Sequence, residues 1–249
     1  MRSTVQVGVG LTAALLAQVG VQAQSQNQVW SANAGVVSDY RFRGISQTRL
    51  QPAVQGGMDY SDASGAYFGA WASNIRWVRD AGAQDGSVEL DLYGGYRWHH
   101  AEVDYDLALL RYDYVGNDLG RTGRRANAST TEVALAATWA QTTLKYSHSL
   151  SRWRGYLGSQ GSGYIEISRA WPLAAGWTLV PHLGHLNVRH TMPSASYTDY
   201  ALTLQKNLRP AWLFSASVQG ANADRGVYST PAGDFTGRTA LVLGLKYTR

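Results

Sequence analysis

From Trp30 onward, apolar and polar residues alternate with a period of two in one segment after another. In residues 30–43 the even positions are apolar with aromatic ends, and the odd positions are polar or charged. Side chains of a strand point alternately to its two faces, so this alternation predicts a strand with one apolar and one polar face. An average strand of a globular protein has only about five or six residues.

Eleven further segments repeat this alternation. The twelve predicted strands cover residues 30–43, 54–60, 67–75, 88–97, 103–114, 132–139, 143–150, 164–168, 177–183, 199–204, 212–219 and 241–247. In the fifth, the apolar parity slips between Leu109 and Leu110, which predicts a β-bulge. No helical periodicity separates the segments, so the pattern predicts one domain.

The connections between these segments alternate in length. Long ones cover residues 44–52, 76–87, 115–128, 151–162, 187–196 and 221–238, and short ones cover 61–65, 97–102, 140–141, 170–176 and 205–211. An even number of strands with short turns on one side and long loops on the other is typical of bacterial outer-membrane barrels. The predicted fold is therefore all-β, a transmembrane up-and-down antiparallel barrel of about twelve strands.

Composition supports this fold over a soluble sandwich or a lipocalin-like barrel. The chain has 15 Tyr and 9 Trp but only 4 Phe, whereas the core of a soluble barrel favours Phe, Ile and Leu. Aromatic residues near the predicted strand ends are candidates for interfacial girdles. They are Trp30, Tyr40, Tyr60, Tyr67, Trp77, Tyr96, Trp98, Trp139, Trp177 and Tyr247.

The first 23 residues are typical of a signal peptide. Arg2 precedes an apolar stretch over residues 7–21, and Val21-Gln22-Ala23 has the small residues of a cleavage site. The alternative is an N-terminal anchor helix, for which the stretch is short. We expect a mature barrel of residues 24–249 in the outer membrane of a Gram-negative bacterium. The chain has no Cys, which excludes disulfides and thiolate metal sites.

The charged parity is expected to face the lumen, because a basic residue on the lipid face costs roughly 2–4 kcal/mol at the midplane. The fourth to sixth predicted strands contribute an acidic wall of Glu89, Asp91, Asp104, Asp106 and Glu132. The first and twelfth, neighbours after closure, contribute a basic wall of Arg41, Arg43 and Lys246. Opposed walls create a transverse field that sorts small solutes. The alternative is a set of salt bridges that fill a narrow barrel.

Two of these carboxylates are predicted neighbours. Asp91 and Asp106 lie close together if the turn between their strands centres on Trp98-His99, and they would then need a cation, an Arg partner or a raised pKa.

The long connections are rich in arginine. Prominent members are Arg121, Arg124, Arg125, Arg152 and Arg154. We interpret them mainly as partners for lipopolysaccharide phosphates, with an anion-collecting mouth as the alternative. The formal net charge is +5, but scattered loop arginines after a signal peptide argue against nucleic-acid binding.

Motifs for catalysis, cofactors or metals are weak. His182 and His185 point to opposite faces of a strand, and so do Ser147 and His148, which therefore form no dyad. Residues 158–163, GSQGSG, lack the Lys and helix of a phosphate-binding loop. We expect no enzyme activity and no cofactor.

Four stretches carry a family resemblance. They are SANAGVVSDYRFRGISQT at 31–48, PAVQGGMDY at 52–60, WASN at 71–74 and VELDLYGGY at 88–96. Together they resemble the TorF-type porin family, proteobacterial outer-membrane proteins of otherwise unknown function. Residues 241–247 resemble the terminal signal of the outer-membrane assembly machinery, although Thr248 and Arg249 follow the aromatic residue.

The resemblance implies a porin and brings no catalytic residues with it. The expected function is passive diffusion of small hydrophilic solutes or ions. The alternatives are a closed structural or adhesive barrel that binds lipopolysaccharide or a partner through its loops, and, less favoured, a lipid-modifying barrel enzyme.

Overall fold

The computed structural model describes residues 29–192 and 194–249. The predicted signal peptide, residues 1–23, lies outside the described residues. Twelve strands of at least seven residues, β1 to β12, account for most of the fold. In order, they are Val29–Val37, Ala53–Ser61, Ala66–Asn74, Val88–His100, Val103–Val115, Thr130–Trp139, Thr142–Ser149, Gly163–Arg169, Trp177–Asn187, Tyr197–Arg209, Trp212–Ala221 and Ala240–Thr248.

These strands close into a barrel. Each pairs antiparallel with the next along the chain, and β1 pairs with β12, where Val36 lies opposite Leu245. Closure leaves no strand edge with unpaired backbone groups, the condition for a sheet that spans a lipid bilayer. The prediction of a twelve-stranded antiparallel barrel is confirmed.

The first strand is shorter than predicted. It ends at Val37, and residues 38–52 fold back into the barrel instead of continuing the strand. Two short strands, Arg41–Phe42 and Ile45–Ser46, pair within this segment. The alternation of apolar and polar residues continues from β1 through Arg43, because the two-residue strands of this segment have the same period. The sequence pattern therefore does not show that β1 ends at Val37.

The predicted bulge in the fifth strand is wrong. β5 pairs without a register shift with β4 and β6, and Leu110 lies opposite Tyr93 and Glu132. Leu110, Tyr112 and Tyr114 face inward and are buried. The parity slip arises because β5 turns apolar side chains inward here, opposite the buried Glu89, Asp91 and Glu132 of its neighbours.

The turn between β4 and β5 also differs from the prediction. His100 pairs with Val103, so the turn centres on Ala101-Glu102 rather than on Trp98-His99. This register places Asp91 opposite Tyr112 and Asp106 opposite Arg97. The predicted proximity of Asp91 and Asp106 is therefore wrong.

The outer surface of the barrel is apolar, as the orientation argument predicts. Val54 is 68% exposed and Leu109 is 53% exposed, although both lie on paired strands. β3 and the outer half of β5 depart from this pattern. Tyr67 and Trp71, predicted to face lipid, point inward while Phe68 points out, and the charged Arg111 and Asp113 of β5 point outward. The apolar outer surface forms a belt that fits the hydrocarbon layer of a bilayer.

Aromatic residues gather at the short-turn end of the outer surface. Trp30 contacts Tyr60 and Phe68, and Trp98 stacks on Tyr105 at 5.1 Å between ring centroids. Three predicted girdle residues lie elsewhere, since Tyr40, Tyr67 and Trp77 pack inside the barrel or under its loops.

The long connections carry little regular structure. One helical turn, Trp77–Asp80, lies between β3 and β4. In the short connection before β9, a two-residue strand, Trp171–Pro172, pairs with β9. In the part of the chain that the structure describes, no helix has the length and apolar character to cross a membrane.

Candidate functional site in the barrel lumen

Residues 38–52, which we call the inner hairpin, occupy the lumen. Ten consecutive residues, 39–48, are buried. The hairpin turns at Arg43 and Gly44, whose φ angles are +50° and +77°. A Cβ on Gly44 would lie 2.7 Å from the Asp199 Cβ and from the Gly220 carbonyl oxygen. The hairpin therefore crosses the lumen from β1 and touches β10 and β11.

An ion pair holds the hairpin tip to the barrel wall. The Arg43 guanidinium donates to both Glu132 oxygens, at 3.2 and 2.8 Å, and both side chains are nearly inaccessible. It also lies over the Tyr164 ring, 4.1 Å from its centroid. Burial disfavours the charged guanidinium, but Glu132 outweighs burial and raises the pKa of Arg43. Arg43 is thus a permanent charge whose partner lies on β6.

The base of the hairpin is fixed by a second pair. Arg41 donates to Asp39 at 2.7 Å and to the carbonyl oxygens of Gly44 and Arg238, at 3.0 and 2.7 Å. Ser46 donates to the other Asp39 oxygen at 2.5 Å. Both oxygens of the buried Asp39 carboxylate therefore accept hydrogen bonds within the hairpin, as burial requires.

Barrel strands and outer loops together pack a core against the hairpin. Tyr40 meets Trp71, and Phe42 meets Tyr112, each at 5.5 Å between ring centroids. Arg154 is buried, donates to the side chain of Gln47, and lies over the Trp77 ring at 4.3 Å. The outer half of the barrel is thus filled by side chains in this conformation.

The structure separates the predicted acidic wall into three environments. Glu89, Asp91 and Glu132 are buried beside the hairpin. Asp106 accepts from Tyr67 at 2.6 Å and from Arg97 at 3.1 Å, nearer the short turns. Asp104 contacts His99 at 2.7 Å, with about half of each side chain exposed.

The predicted basic wall is divided as well. Arg41 and Arg43 reach the lumen from the inner hairpin rather than from β1. Lys246 lines a small recess together with Asn33, Gln55 and Trp71. The opposed walls therefore meet through the Arg43–Glu132 ion pair at the hairpin.

The outer-loop arginines differ in exposure. Arg121, Arg124 and Arg152 are exposed, and Arg125 donates to the Tyr156 hydroxyl at 2.8 Å. Arg154 is the exception to the predicted loop set, because it is buried against the hairpin. Its aromatic neighbours, distant in sequence, stabilise it there.

Sequence reasoning missed a chain of polar side chains across β7 to β10. Lys145 contacts Glu166 at 3.0 Å, and His182 lies 3.6 Å from Glu166 and 3.0 Å from Asp199. Tyr164 donates to Asp199 at 2.9 Å. Their positions on the inward-facing parity could have marked these residues as candidates. Only the register between strands shows that they lie at the same level of the barrel and contact one another. Among the described residues, no group of three or more His, Asp or Glu side chains is arranged to hold a metal ion.

A family comparison covers nearly all of the described barrel. Residues 21–248 match the family described as "Bacterial protein of unknown function (Gcw_chp)". The chain belongs to the Gcw_chp family. No protein with a curated description matches the sequence.

Solved structures show what this Gcw_chp barrel resembles. "KdgM porin in complex with disordered oligogalacturonate" matches with a TM-score of 0.55 at 8% identity, covering 88% of this chain and 98% of that chain. A NanC porin structure matches with a TM-score of 0.55 at 10% identity, covering 88% and 99%. At these identities the likeness establishes the fold alone, a closed antiparallel β-barrel like that of the two porins.

Proposed function

We propose that this Gcw_chp protein is an outer-membrane channel of porin type for small hydrophilic solutes or ions, with the inner hairpin as its constriction. The observation that carries the proposal is a closed barrel with an apolar outer belt and a charged interior. Contact with lipid explains the apolar belt. Closing a sheet into a barrel does not by itself require ion pairs and polar side chains in the lumen, so the charged interior supports a channel. The TorF-type porin resemblance and the KdgM-like and NanC-like fold support the same proposal.

The mixed charge of the interior bears on the solute. Acidic and basic side chains face each other at the hairpin, an arrangement that orients small dipolar or charged solutes. Oligogalacturonate is a ligand of the KdgM porin in the matching structure. For the present chain we propose small solutes or ions rather than an acidic oligosaccharide of this kind. Carboxylates outnumber Lys and Arg among its buried charged residues, and they would repel such an anion.

A second candidate is a closed barrel that acts through its loops. The packed core over residues 39–48 favours it, since side chains fill the outer half of the lumen. The exposed Arg121, Arg124 and Arg152 would then bind phosphate groups of lipopolysaccharide. We propose no catalytic role for the loop residues.

The first experiment compares the refolded mature chain, residues 24–249, with a hairpin-replacement variant in planar bilayers. In the variant, residues 39–51 are replaced by a short Gly-Ser turn, which is feasible because Val37 and Ala53 are paired. We expect ohmic single-channel current from both proteins, with a larger unit conductance in the variant, because pore conductance rises with open width. Heat-modifiable gel mobility confirms folding of both barrels.

The outcomes separate the two candidates. Absence of current from both folded proteins would exclude the channel. Current from the variant alone would establish a plugged barrel that needs a signal to open. Ion selectivity measured on Asp91→Asn and Asp106→Asn then tests the acidic wall.

A further inference from the structure

Buried charges on the lumen side do not balance. Among the described residues, those buried comprise six carboxyls and four Lys or Arg side chains. The carboxyls are Asp39, Glu89, Asp91, Glu132, Glu166 and Asp199, and the cations are Arg41, Arg43, Lys145 and Arg154. His182, between Glu166 and Asp199, supplies a fifth positive charge when protonated. One negative charge remains.

The ion pairs locate the excess. Asp39 pairs with Arg41, Glu132 with Arg43, and Glu166 with Lys145. Asp199 pairs with His182 when the imidazole is protonated. Glu89 and Asp91 are left with Arg154, whose charge acts on Glu89 while its guanidinium donates to Gln47.

Asp91 has the least compensated carboxyl group of the lumen. Its side chain is 1% exposed, and neither of its oxygens accepts a hydrogen bond from a described residue within normal geometry. Glu89, two residues earlier on the same face of β4, accepts from the Tyr40 hydroxyl at 3.0 Å, but no described residue donates to its second oxygen. Two adjacent buried carboxyls with one described donor between them cannot both stay ionised.

The surrounding groups do not supply the missing charge. The titratable groups that act on the pair are Tyr40 of the hairpin, Tyr112, Asp113 and Tyr114 of β5, Glu132 of β6 and Arg154 of the outer loop. Only Arg154 is a cation. Burial, followed by Glu89 and Asp91, raises the pKa of Tyr40, which therefore stays a neutral donor.

We propose that Glu89 and Asp91 form a proton-binding pair that shares one proton while the inner hairpin is seated. This inference rests on the proposed channel and assigns it a pH response. Tyr40 donates to the pair from the hairpin, so the proton stabilises the seated hairpin. Loss of the proton leaves a second buried negative charge beside the hairpin, and water must enter to solvate it. The hairpin then leaves the lumen.

The sign of the response follows from proton linkage. Hydrated carboxyls release their protons near pH 4, so near neutral pH the seated state binds one proton more than the released state. Raising the pH therefore favours release of the hairpin. The ratio of open to closed channels rises by at most about tenfold per pH unit, the limit for one proton.

The test compares wild type, Asp91→Asn and Asp234→Asn in planar bilayers between pH 5 and 9. Asp234 is an exposed carboxylate of an outer loop, so its change removes the same charge far from the pair. We expect the open fraction to rise with pH in wild type and in Asp234→Asn. In Asp91→Asn the charges balance, the amide can donate to Glu89, and the rise should vanish. A rise that persists in Asp91→Asn would overturn the proposal.

A second readout does not depend on conduction. Infrared spectra of the folded protein near pH 7 should show the carbonyl stretch of one protonated carboxylic acid, present in Asp234→Asn and missing in Asp91→Asn. If no channel conducts but the band behaves in this way, the pair is correct and the channel is not. Absence of the band in wild type overturns the pair. So does a closed state that requires Na⁺ or K⁺, compared with choline at equal ionic strength, because a metal ion would then supply the charge.

Discussion

At the scale of single residues, the inner hairpin depends on one buried ion pair. Replacing Glu132 by Gln keeps the shape of the side chain but leaves the Arg43 charge uncompensated. Breaking one partner of a buried pair costs about 3–5 kcal/mol, whereas removing both partners is often close to neutral. We therefore expect Glu132→Gln to lower the free energy of unfolding in urea by about 3 kcal/mol, and Arg43→Gln with Glu132→Gln to recover most of the loss.

The matched control is the pair formed by Arg121 and Asp118 in an outer loop, where the Arg121 side chain is 74% exposed. Arg121→Gln should cost no more than about 1 kcal/mol, the range for surface pairs. Equal losses for Glu132→Gln and Arg121→Gln would mean that water reaches the hairpin tip.

Gly44 gives a second residue-level prediction. Gly44→Ala combines a positive φ with a clash against Asp199 and Gly220, whereas Gly123→Ala has a positive φ of +69° and no atom within 4 Å of the new Cβ. We expect Gly123→Ala to cost about 1 kcal/mol and Gly44→Ala to cost about 1–3 kcal/mol more. Gly44→Ala should also raise single-channel conductance by unseating the hairpin tip, and unchanged conductance would contradict contact of the tip with the wall.

At the scale of elements, the strands are defined by what lies on each face. Leu109 is at the centre of β5 and Val115 is at its outer end, and both point outward. Leu109→Arg should cost about 2–4 kcal/mol of folding free energy in lipid, and Val115→Arg about 0–1 kcal/mol. Urea unfolding in vesicles measures both. A larger cost at Val115 than at Leu109 would mean that Val115, and not Leu109, lies nearer the middle of the bilayer.

The same element shows what sequence can predict. Alternation identified all twelve strands, because lipid tolerates only one parity outside a closed barrel. It failed at β3 and in the outer half of β5, where Trp71 and Tyr112 face inward against Tyr40 and Phe42. In β3 both faces are apolar, and in the outer half of β5 the inward residues are apolar while the charged Arg111 and Asp113 point outward. Alternation with period two therefore does not show which face of these segments meets lipid. The chain of polar side chains from Lys145 to Asp199 could not be predicted from alternation either, because it depends on the register between strands.

At the scale of the whole molecule, export and membrane insertion give one prediction. When the full chain is expressed in a Gram-negative host, we expect cleavage after Ala23 and a mature N-terminus at Gln24, checked by mass spectrometry. The product should fractionate with the outer membrane and migrate faster on gels before heating than after. Recovery of the uncleaved chain in the inner membrane would instead support the anchor-helix alternative.

The register at the base of the inner hairpin has a consequence for assembly. β1 and β2 pair up to Val37 and Ala53, so the hairpin is an insertion into what would otherwise be a tight turn. Its contacts lie on strands from β3 to β11, so the surface that seats it is complete only after most of the sheet has formed. During biogenesis the hairpin is therefore expected to reach its final position late, and the lumen is filled near the end of assembly.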